Sequence, residues 1–444
     1  MKLYENYQKS LQELVALQSI STDPTFAQGI EDTVQWLVSY FEKNGFSVER
    51  VDGYGNPIVV ARYTVAPEKE TYFVYGHYDV QPASQEDGWE SDPFSLTERD
   101  GKLYGRGVVD NKGQFMVHLT SIVALIEEGK LEKNVVFVVE GDEETGGEGI
   151  TKLFEARPEL FKADQYIISD GEMPYKPVIT ASFRGTFNIT AKITTAANNL
   201  HSGLYGGAAP SATVVASKLV AGMYDDENRL AITGFYNNDL VADEVEMQLC
   251  RDMDAVKTAT LEQTGVKKWF TGPNNSFCEV VGFTTMVVPS GISSGYTGSG
   301  YSNIVPASAL IKMNVRIAAN QTVEQVKTLL EHYFAKNTPE YATTELIEMQ
   351  SNNEPIKVNI NSDMHKRTIQ LLEEVYGDKV LIDYCGATLP VVIDIKRVFG
   401  ADPVLISLAN DDCNMHGVNE NYDIELLKKG LEFSYRLFGG NSNG

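Results

Sequence analysis

The part of the sequence best suited to chemistry is an apolar run, residues 135–139, that leads into four closely spaced carboxylates. The four are Glu140, Asp142, Glu143 and Glu144. A short β-branched run of this kind is typical of a strand buried in a parallel sheet, and such sheets bind ligands beyond the carboxyl ends of their strands. Because neighbouring carboxylates repel one another, the cluster predicts a pair of divalent metal ions with one carboxylate left as a base. The alternative is a solvated acidic turn.

The same pattern, an apolar run followed by a histidine or a carboxylate, occurs at three other places. The residues that follow these runs are His77, Asp110 and Asp170. A further apolar run, residues 404–408, leads toward His416. Because the carboxyl ends of parallel strands lie at one edge of a sheet, we expect these side chains to converge on one site.

The neighbours of each histidine indicate its role. Asp79 follows His77 by two residues, and alternate residues of an extended chain point to the same side, so Asp79 can orient the His77 imidazole. A surface turn with an incidental histidine is the alternative. His118 lies near the apolar face of a predicted helix and is predicted to be structural, and His365 is predicted to lie on the surface.

Two polar residues in the middle of the chain are further candidates for the site. His201 lies in a glycine-rich loop, and Arg316 shares one face of a predicted strand with Lys312 and Asn314. A guanidinium there would give a bidentate grip on a free carboxylate. The alternatives are a plain loop histidine and a solvated strand face.

Composition limits the classes of partner and metal ligand. The length of 444 residues predicts two or more domains. The formal net charge of −24 argues against nucleic acid or an anionic membrane as a partner. The four cysteines are scattered without a C-x-x-C pair, so neither a disulfide framework nor a thiolate zinc site is predicted. Any metal would then have histidine and carboxylate ligands, which suit zinc, manganese or cobalt.

The hydropathy pattern predicts a cytoplasmic protein. Residues 1–5 contain no apolar signal core. The chain also lacks the run of about 18 apolar residues that a membrane span requires.

The predicted fold class is α/β, with a mostly parallel central sheet flanked by helices. From residue 184 the pattern changes to alternating apolar and polar residues, and a strand, helix, strands, helix, strand order follows. This predicts a catalytic metal-binding domain of residues 1–182 and 356–444, with an α+β domain of residues 183–355 inserted. Residues 271–303 are rich in Gly, Ser and Asn and are predicted to form long loops, and the conformation of their glycine-rich end is left open.

Four long motifs resemble those of one enzyme family. The motifs are Tyr75-Gly-His-Tyr-Asp-Val-Gln-Pro82, Gly105-Arg-Gly-Val-Val-Asp-Asn-Lys-Gly113, Glu140-Gly-Asp-Glu-Glu-Thr-Gly146 and Leu200-His-Ser-Gly203. In this order they resemble the dinuclear zinc metallopeptidase family of carnosinase-type and cytosolic nonspecific dipeptidases, aminoacylase, carboxypeptidase G and succinyl-diaminopimelate desuccinylase. The first motif is most similar to the carnosinase-like dipeptidase branch.

The resemblance implies a role for each member of the metal cluster. One metal ion would be held by His77 and Asp170 and the other by Glu144 and His416, with Asp110 bridging the two. The peptide bond that follows Asp110 is commonly cis in the family. The implied cofactor is therefore two divalent ions, with zinc first and manganese or cobalt as alternatives.

The resemblance also implies catalytic roles and an assembly. Glu143 would be the general base, and Asp79 would stand behind His77. The inserted domain would be a lid that also forms the contact of a homodimer. His201 would reach the partner subunit's active site and stabilise the tetrahedral oxyanion.

For the carboxylate end of the substrate, the resemblance implies contacts with Arg316 and Asn303. Gly386 and Thr388 would line the pocket. This sequence departs from the family here, because relatives commonly have Thr at the position of Asn303 and Gly-Gly-Ser at residues 386–388. Relatives also have Gly-Ala before the histidine at the position of His416.

These observations predict metal-dependent hydrolysis of an amide bond in a dipeptide or short peptide with a free carboxylate end. Two cations would activate a water, and Glu143 would take its proton and pass it to the leaving amine. An alternative enzyme is a deacylase of N-acyl amino acids. A different class is an inactive binding protein of the same fold, which would have lost the base or a ligand.

Overall fold

The computed structural model describes residues 2–237, 241–271 and 276–439. Within these ranges, no helix combines the length and the apolar character that a membrane span requires. The helices are α1 (Lys2–Val15), α2 (Ala27–Lys43), α3 (Lys112–Glu128), α4 (Gly149–Ala156), α5 (Ser202–Tyr205), α6 (Ala212–Ala221), α7 (Glu244–Gln263), α8 (Phe277–Phe283), α9 (Val323–Asn337), α10 (Asp363–Tyr376), α11 (Pro390–Phe399) and α12 (Ile424–Gly439). The strands are β1 (Ser47–Val51), β2 (Ile58–Tyr63), β3 (Thr71–His77), β4 (Thr97–Arg99), β5 (Lys102–Tyr104), β6 (Asn134–Glu140), β7 (Gln165–Ile168), β8 (Glu172–Met173), β9 (Val178–Phe183), β10 (Gly185–Thr194), β11 (Leu200–His201), β12 (Met286–Ser294), β13 (Ile304–Val305), β14 (Ser308–Ile317), β15 (Thr343–Asn353), β16 (Ile356–Lys357), β17 (Leu381–Cys385), β18 (Val404–Ser407), β19 (Ala409–Asn410) and β20 (Asn421–Asp423).

The larger sheet has the strand order β1-β2-β6-β3-β7-β18-β9-β16, with β17 paired beside β9. Its central strands β6, β3, β7 and β18 run parallel to one another. The pairs toward the edges, such as β1 with β2 and β9 with β16, are antiparallel. The predicted α/β class is confirmed, and the sheet is mixed, with its parallel part at the centre.

Both faces of this sheet are covered, which explains the continuous apolar runs. In β3, Phe73 packs in a core with α4 and α11, whereas its neighbour Val74 packs in a second core with α1, α2, α3 and α12. Val136 and Phe137 of β6 divide between the two cores in the same way. Since successive side chains of a strand point to opposite faces, a strand covered on both sides needs apolar residues throughout.

The inserted domain has its own sheet and core. Its strands are antiparallel in the order β12-β14-β10-β15. On one face, Phe187, Ile189, Ile311 and Met313 pack in a core that α6 and α9 complete. Arg316 lies among the polar residues that alternate with this apolar set. The inserted α+β domain is present as expected, and its predicted boundaries stay a prediction.

Helices α7 and α8 also belong to the insert in sequence, but they pack against β17 of the larger sheet. The Phe283 and Tyr384 rings lie 4.5 Å apart, and Lys257 Nζ lies 3.3 Å from an Asp383 carboxylate oxygen. Between the two helices, the Sγ atoms of Cys250 and Cys278 are 2.8 Å apart. The insert therefore rests directly on the strand that leads into the loop of residues 386–388.

Two predictions about local structure were wrong. Asp110 does not end a strand of the larger sheet, because the preceding strand β5 belongs to a separate small sheet and Asp110 lies in the loop before α3. The apolar residues Val108 and Val109 are fully buried without being in a strand, which produced the misleading pattern.

Residues 271–303 are not only loops, since they contain α8 and β12. β12 lies at the sheet edge, where half-exposed Gly and Ser are tolerated.

Two histidines outside the site, His118 and His365, are buried. His118 is fully buried between the hydroxyls of Ser169 and Ser434, at 2.8 and 3.0 Å, so its structural role is confirmed. Burial lowers the pKa of His118 to about 3. The prediction that His365 lies on the surface was wrong. Its side chain is fully buried, and Nδ1 contacts the Ser362 hydroxyl at 2.8 Å.

Candidate active site

Two groups of metal-ligand side chains share one residue, Asp110. In the first group, His77 Nε2 lies 3.0 Å from Asp110 Oδ1 and 3.8 Å from Asp170 Oδ2. In the second group, His416 Nε2 lies 2.7 Å from Asp110 Oδ2 and 3.2 Å from Glu144 Oε2. Within each group, one ligand atom of each residue lies within 4.8 Å of the others. Because its two oxygens face different groups, Asp110 is placed as a bridge.

The parallel centre of the sheet positions most of these side chains. His77 is the last residue of β3, and Glu144 lies in the short 3₁₀ helix Glu143–Thr145 that follows β6. Asp170 follows β7, and its Oδ1 accepts a hydrogen bond from Asn111 Nδ2 at 2.9 Å. The peptide bond between Asp110 and Asn111 is cis, as the resemblance implied.

A buried ion pair fixes the two loops that carry Asp110 and His416. Glu420 accepts hydrogen bonds of 2.9–3.2 Å from the backbone N–H of Asp110 and of two other residues in its loop. Arg106 Nη1 donates to Glu420 at 2.7 Å, while Nη2 donates to the carbonyl oxygens of His416 and Gly417. Both charged side chains are almost fully buried, so loss of either partner would leave an unpaired charge beside the site.

A layer of polar side chains behind the ligands orients them. His77 Nδ1 lies 3.1 Å from the carbonyl oxygen and 3.3 Å from a carboxylate oxygen of Asp79, which places Asp79 behind His77 as expected. Asp79 Oδ2 accepts from the Ser21 hydroxyl at 2.7 Å and from the Glu144 N–H at 3.1 Å. Gln81 Nε2 donates to Glu144 Oε2 at 2.7 Å.

The site concentrates negative charge in a dry environment. Burial, reinforced by Asp110 and Glu144, raises the pKa of Asp170 to about 7. Burial and the charges of nearby carboxylates hold the pKa of Glu143 well above its usual range. Hydrogen bonds to Asp110 and Glu144 raise the pKa of His416 to about 10. A cluster of buried negative charge favours cations, and its imidazole nitrogens and carboxylate oxygens are donors that suit a pair of divalent metal ions. The residues present therefore fit such a pair.

Arg316 meets the loop of residues 386–388 across the boundary between the two domains. Arg316 Nη1 donates to Thr388 Oγ1 at 3.0 Å, and the Thr388 hydroxyl donates to the Arg184 carbonyl at 2.5 Å. Arg184 also holds the loop through its N–H to the Ala387 carbonyl and its Nε to the Gly386 carbonyl, both at 3.1 Å. Three of the predicted substrate-binding residues are thus brought together.

His201 and Asn303 lie elsewhere in the same subunit. The strands β11 and β13 pair His201 with Ile304, next to Asn303, in the inserted domain. Both residues are exposed, and among the described residues no hydrogen bond or ion pair joins either one to the two ligand groups. His201 Nδ1 accepts from the Gly203 N–H at 3.1 Å, which leaves the Nε2 N–H free to donate to another molecule.

The family model of peptidase family M20/M25/M40 matches residues 73–439, which span both ligand groups. The chain belongs to this peptidase family. It is 30% identical to a cysteinylglycine-S-conjugate dipeptidase of Corynebacterium striatum, over 94% of this chain and 91% of that protein.

Solved structures of M20 peptidases have the same fold. An M20 family metallo-carboxypeptidase from Sulfolobus solfataricus is 26% identical with a TM-score of 0.84, covering 98% of both chains. Human carnosine dipeptidase 1 is 25% identical with a TM-score of 0.79, covering 98% of this chain and 95% of that one. The family predicted from the motifs and the metallopeptidase class are confirmed.

Sequence reasoning missed several residues that position the site of this M20 peptidase. Gln81 could have been found, because His77, Asp79 and Gln81 are alternate residues of one extended segment and therefore share a side. Arg184 stands where the pattern of alternating apolar and polar residues begins. That pattern indicated a domain boundary, but it gave no sign that Arg184 contacts the loop of residues 386–388. Glu420 carried no signal, because an isolated carboxylate four residues after His416 has no periodic partner.

Proposed function

We propose that this M20 peptidase is a metal-dependent dipeptidase that acts on dipeptides with a free carboxylate end. The observation that carries the proposal is the pair of ligand groups that share Asp110. Glu143 immediately precedes Glu144 and belongs to neither group, and Arg316 donates from the insert to Thr388. The Corynebacterium and human relatives named above are dipeptidases, which favours a dipeptide over an N-acyl amino acid as the substrate.

The site residues have complementary tasks. Two divalent ions held by the ligand groups would lower the pKa of a water and polarise the scissile carbonyl. Glu143 takes the proton of the attacking water and gives it to the leaving amine. The raised pKa of Glu143, which burial and neighbouring carboxylates cause, suits a group that holds a proton between these two steps. The guanidinium of Arg316 binds the substrate carboxylate, and the loop of residues 386–388 lines the same end.

The proposed metal is zinc. Imidazole and carboxylate ligands suit it, and an Asp bridge keeps two ions close. Manganese and cobalt are the alternatives, since the same donors accept both. A cytoplasmic location, as expected from the sequence, remains a prediction that fractionation of source cells would test.

The proposed assembly is a homodimer formed through the insert. β12 is an edge strand of the inserted sheet, and its Val288 and Ile292 side chains are 44% and 49% exposed. On α6, Val214 is 52% exposed. An unpaired edge with exposed apolar side chains favours pairing with a second copy. Such a dimer would let the free Nε2 of His201 serve the partner's site as an oxyanion donor.

The experiment that tests the function is hydrolysis of a small dipeptide panel by purified protein. The protein is first treated with a chelator and then reloaded with zinc, manganese or cobalt in separate samples. We expect no cleavage by the chelated protein and recovery with at least one metal, because the nucleophile depends on the bound ions.

The matched substrates are the same dipeptides with the amino end acetylated or the carboxylate end amidated. A dipeptidase that grips both ends cleaves the free dipeptides best. Cleavage of only the acetylated members would instead establish a deacylase. Equal cleavage of the free and the amidated dipeptides would contradict the proposal that Arg316 binds the substrate carboxylate.

A further inference from the structure

A dipeptide has two charged ends, and the roles proposed so far account for only one of them. Arg316 serves the carboxylate end, whereas a free α-ammonium group also needs a counter-charge when it enters a desolvated cleft. The amino end lies on the other side of the scissile carbonyl, so its counter-charge should adjoin the metal ligands. It should also be accessible and not already neutralised.

Most carboxylates that surround the ligand groups do not meet these conditions. Glu140 is buried and accepts a hydrogen bond from the Tyr75 hydroxyl at 2.7 Å. Glu420 is buried and paired with Arg106. Asp79 is fully buried behind His77. Each of these side chains already has a structural task, and none is accessible to a substrate.

Glu172 meets all three conditions. Residues 171–173 run alongside β19, because the Gly171 carbonyl accepts from the Ala409 N–H and Glu172 pairs with Ala409. Glu172 is two residues after the ligand candidate Asp170, and alternate residues of an extended chain point to the same side, so we expect Glu172 to face the metal ligands. The next residue, Met173, is fully buried, whereas Glu172 is exposed and therefore accessible to a substrate.

The surroundings of Glu172 hold its carboxylate in place without neutralising it. The buried Cys413 thiol, three residues before His416, donates to Oε1 at 3.0 Å. Among the described residues this is its one hydrogen bond, which leaves Oε2 to accept from a ligand. Its charge also interacts with those of Asp411, Lys257 and Asp110.

We propose that Glu172 binds the α-ammonium group of the substrate and thereby sets the preference for peptides with a free amino end. The inference rests on the proposed dipeptidase function and adds to it the residue that recognises the amino end. An ammonium that donates to Oε2 makes a charge-assisted hydrogen bond, and the thiol on Oε1 fixes the direction of the carboxylate.

The test compares Glu172→Gln with the unaltered enzyme, both reloaded with the same metal, on one dipeptide and its N-acetylated form. Glutamine keeps the size and an acceptor but removes the charge. We expect kcat/KM for the free dipeptide to fall about 10- to 100-fold, the usual range for a hydrogen bond to a charged group. The loss should lie mainly in KM, because the ammonium is bound equally in the ground and transition states. Activity on the acetylated form should not change.

Asp412→Asn is the matched control. Asp412 is an exposed carboxylate close to Cys413 in sequence, but it is already paired with Lys102 at 2.6 Å. We expect this variant to retain the preference of the unaltered enzyme for the free dipeptide. Bound metal is measured in every variant, so that a loss of ligands is not mistaken for a loss of substrate recognition.

The outcomes separate this inference from the proposed function. If the unaltered enzyme prefers the free dipeptide and Glu172→Gln keeps that preference, the assignment of Glu172 is overturned and the dipeptidase function stands. An equal loss on both substrates also overturns it, because the residue then acts on the site in general. If the unaltered enzyme cleaves only the acetylated form, both proposals are overturned.

Discussion

Glu143 and Glu144 are adjacent in sequence but differ in their contacts. Glu144 is held by Gln81 and by the backbone contact with Asp79, and its carboxylate lies 3.2 Å from His416. Glu143 belongs to neither ligand group. A residue that ligates cannot also move protons freely, so this difference supports the division of tasks in which Glu144 ligates and Glu143 is the base.

Replacement of Glu143 should therefore separate catalysis from metal binding. We expect Glu143→Gln to lower kcat by about 10²- to 10⁴-fold, the usual contribution of a general base, while the enzyme still binds two metal ions. The measurements are turnover of a free dipeptide and the metal content after dialysis.

Glu148→Gln serves as a control on the same acidic turn, because Glu148 is exposed and pairs with Lys152 on the surface. It should leave both turnover and metal content unchanged. A loss of one metal ion in Glu143→Gln would contradict the role of base and make Glu143 a ligand.

At the scale of elements, Arg184 is the single residue between β9 of the larger sheet and β10 of the insert. Its guanidinium donates to the carbonyl oxygens of Gly386 and Thr284, so one side chain ties the loop of residues 386–388 to the end of α8. Gly386 lies so close that an added Cβ would collide with Val281 and come within 2.7 Å of the guanidinium. Arg184 is therefore placed to position the loop that meets Arg316.

Arg184→Lys should weaken the grip on the substrate carboxylate. A lysine keeps the charge but cannot donate to two carbonyl oxygens in the same fixed geometry. We expect KM for a free dipeptide to rise about tenfold, the cost of roughly one hydrogen bond from a charged donor, with a smaller change in kcat. The dipeptide amide, which lacks the carboxylate, should show little change.

Arg62→Lys is the matched control, because Arg62 is a partly buried arginine that donates to the Leu160 carbonyl away from the insert. It should alter the free energy of unfolding but neither kinetic constant. If Arg184→Lys raised KM equally for the free and the amidated dipeptide, its role would be structural and not tied to carboxylate recognition.

The elements that the sequence predicted well are those whose local pattern matches their surroundings. β3, β6, β7 and β18 are buried on both faces, so their apolar runs were visible in the sequence. The structure brings the histidines and carboxylates that follow these runs into the two ligand groups. Asp110 was placed in the site but on the wrong kind of element, because the buried loop residues before it are as apolar as a strand.

Contacts between distant parts of the chain could not be predicted. The ion pair of Arg106 with Glu420 joins residues 314 positions apart, and no local pattern records such a contact. His365 was assigned to the surface because an isolated polar residue on a helix gives no sign of the elements that cover it. The contacts of Arg184 and Glu172 depend on how distant segments of the chain meet, which only the assembled fold specifies.

At the scale of the whole molecule, the exposed position of His201 has a direct consequence. Its free Nε2 lies on the insert, apart from the ligand groups of the same subunit, so an oxyanion role requires a second copy of the chain. Losing one oxyanion donor costs about 10²- to 10³-fold in kcat, so we expect His201→Ala to be nearly inactive while keeping its metal ions.

Activity should return when His201→Ala and Glu143→Gln subunits are mixed and allowed to exchange. In a mixed dimer, the site of the His201→Ala subunit keeps Glu143 and receives the intact His201 of the other subunit. Half of the dimers are mixed at a one-to-one ratio and each has one complete site, so about a quarter of the activity of the unaltered enzyme is expected. Turnover and dimer composition are measured on differently tagged subunits purified together.

The control mixes Glu143→Gln with Asp110→Asn, two lesions that lie in the same site, so no mixed dimer has a complete site and no activity should return. If the first mixture also stayed inactive although mixed dimers formed, His201 would act within its own subunit or not at all.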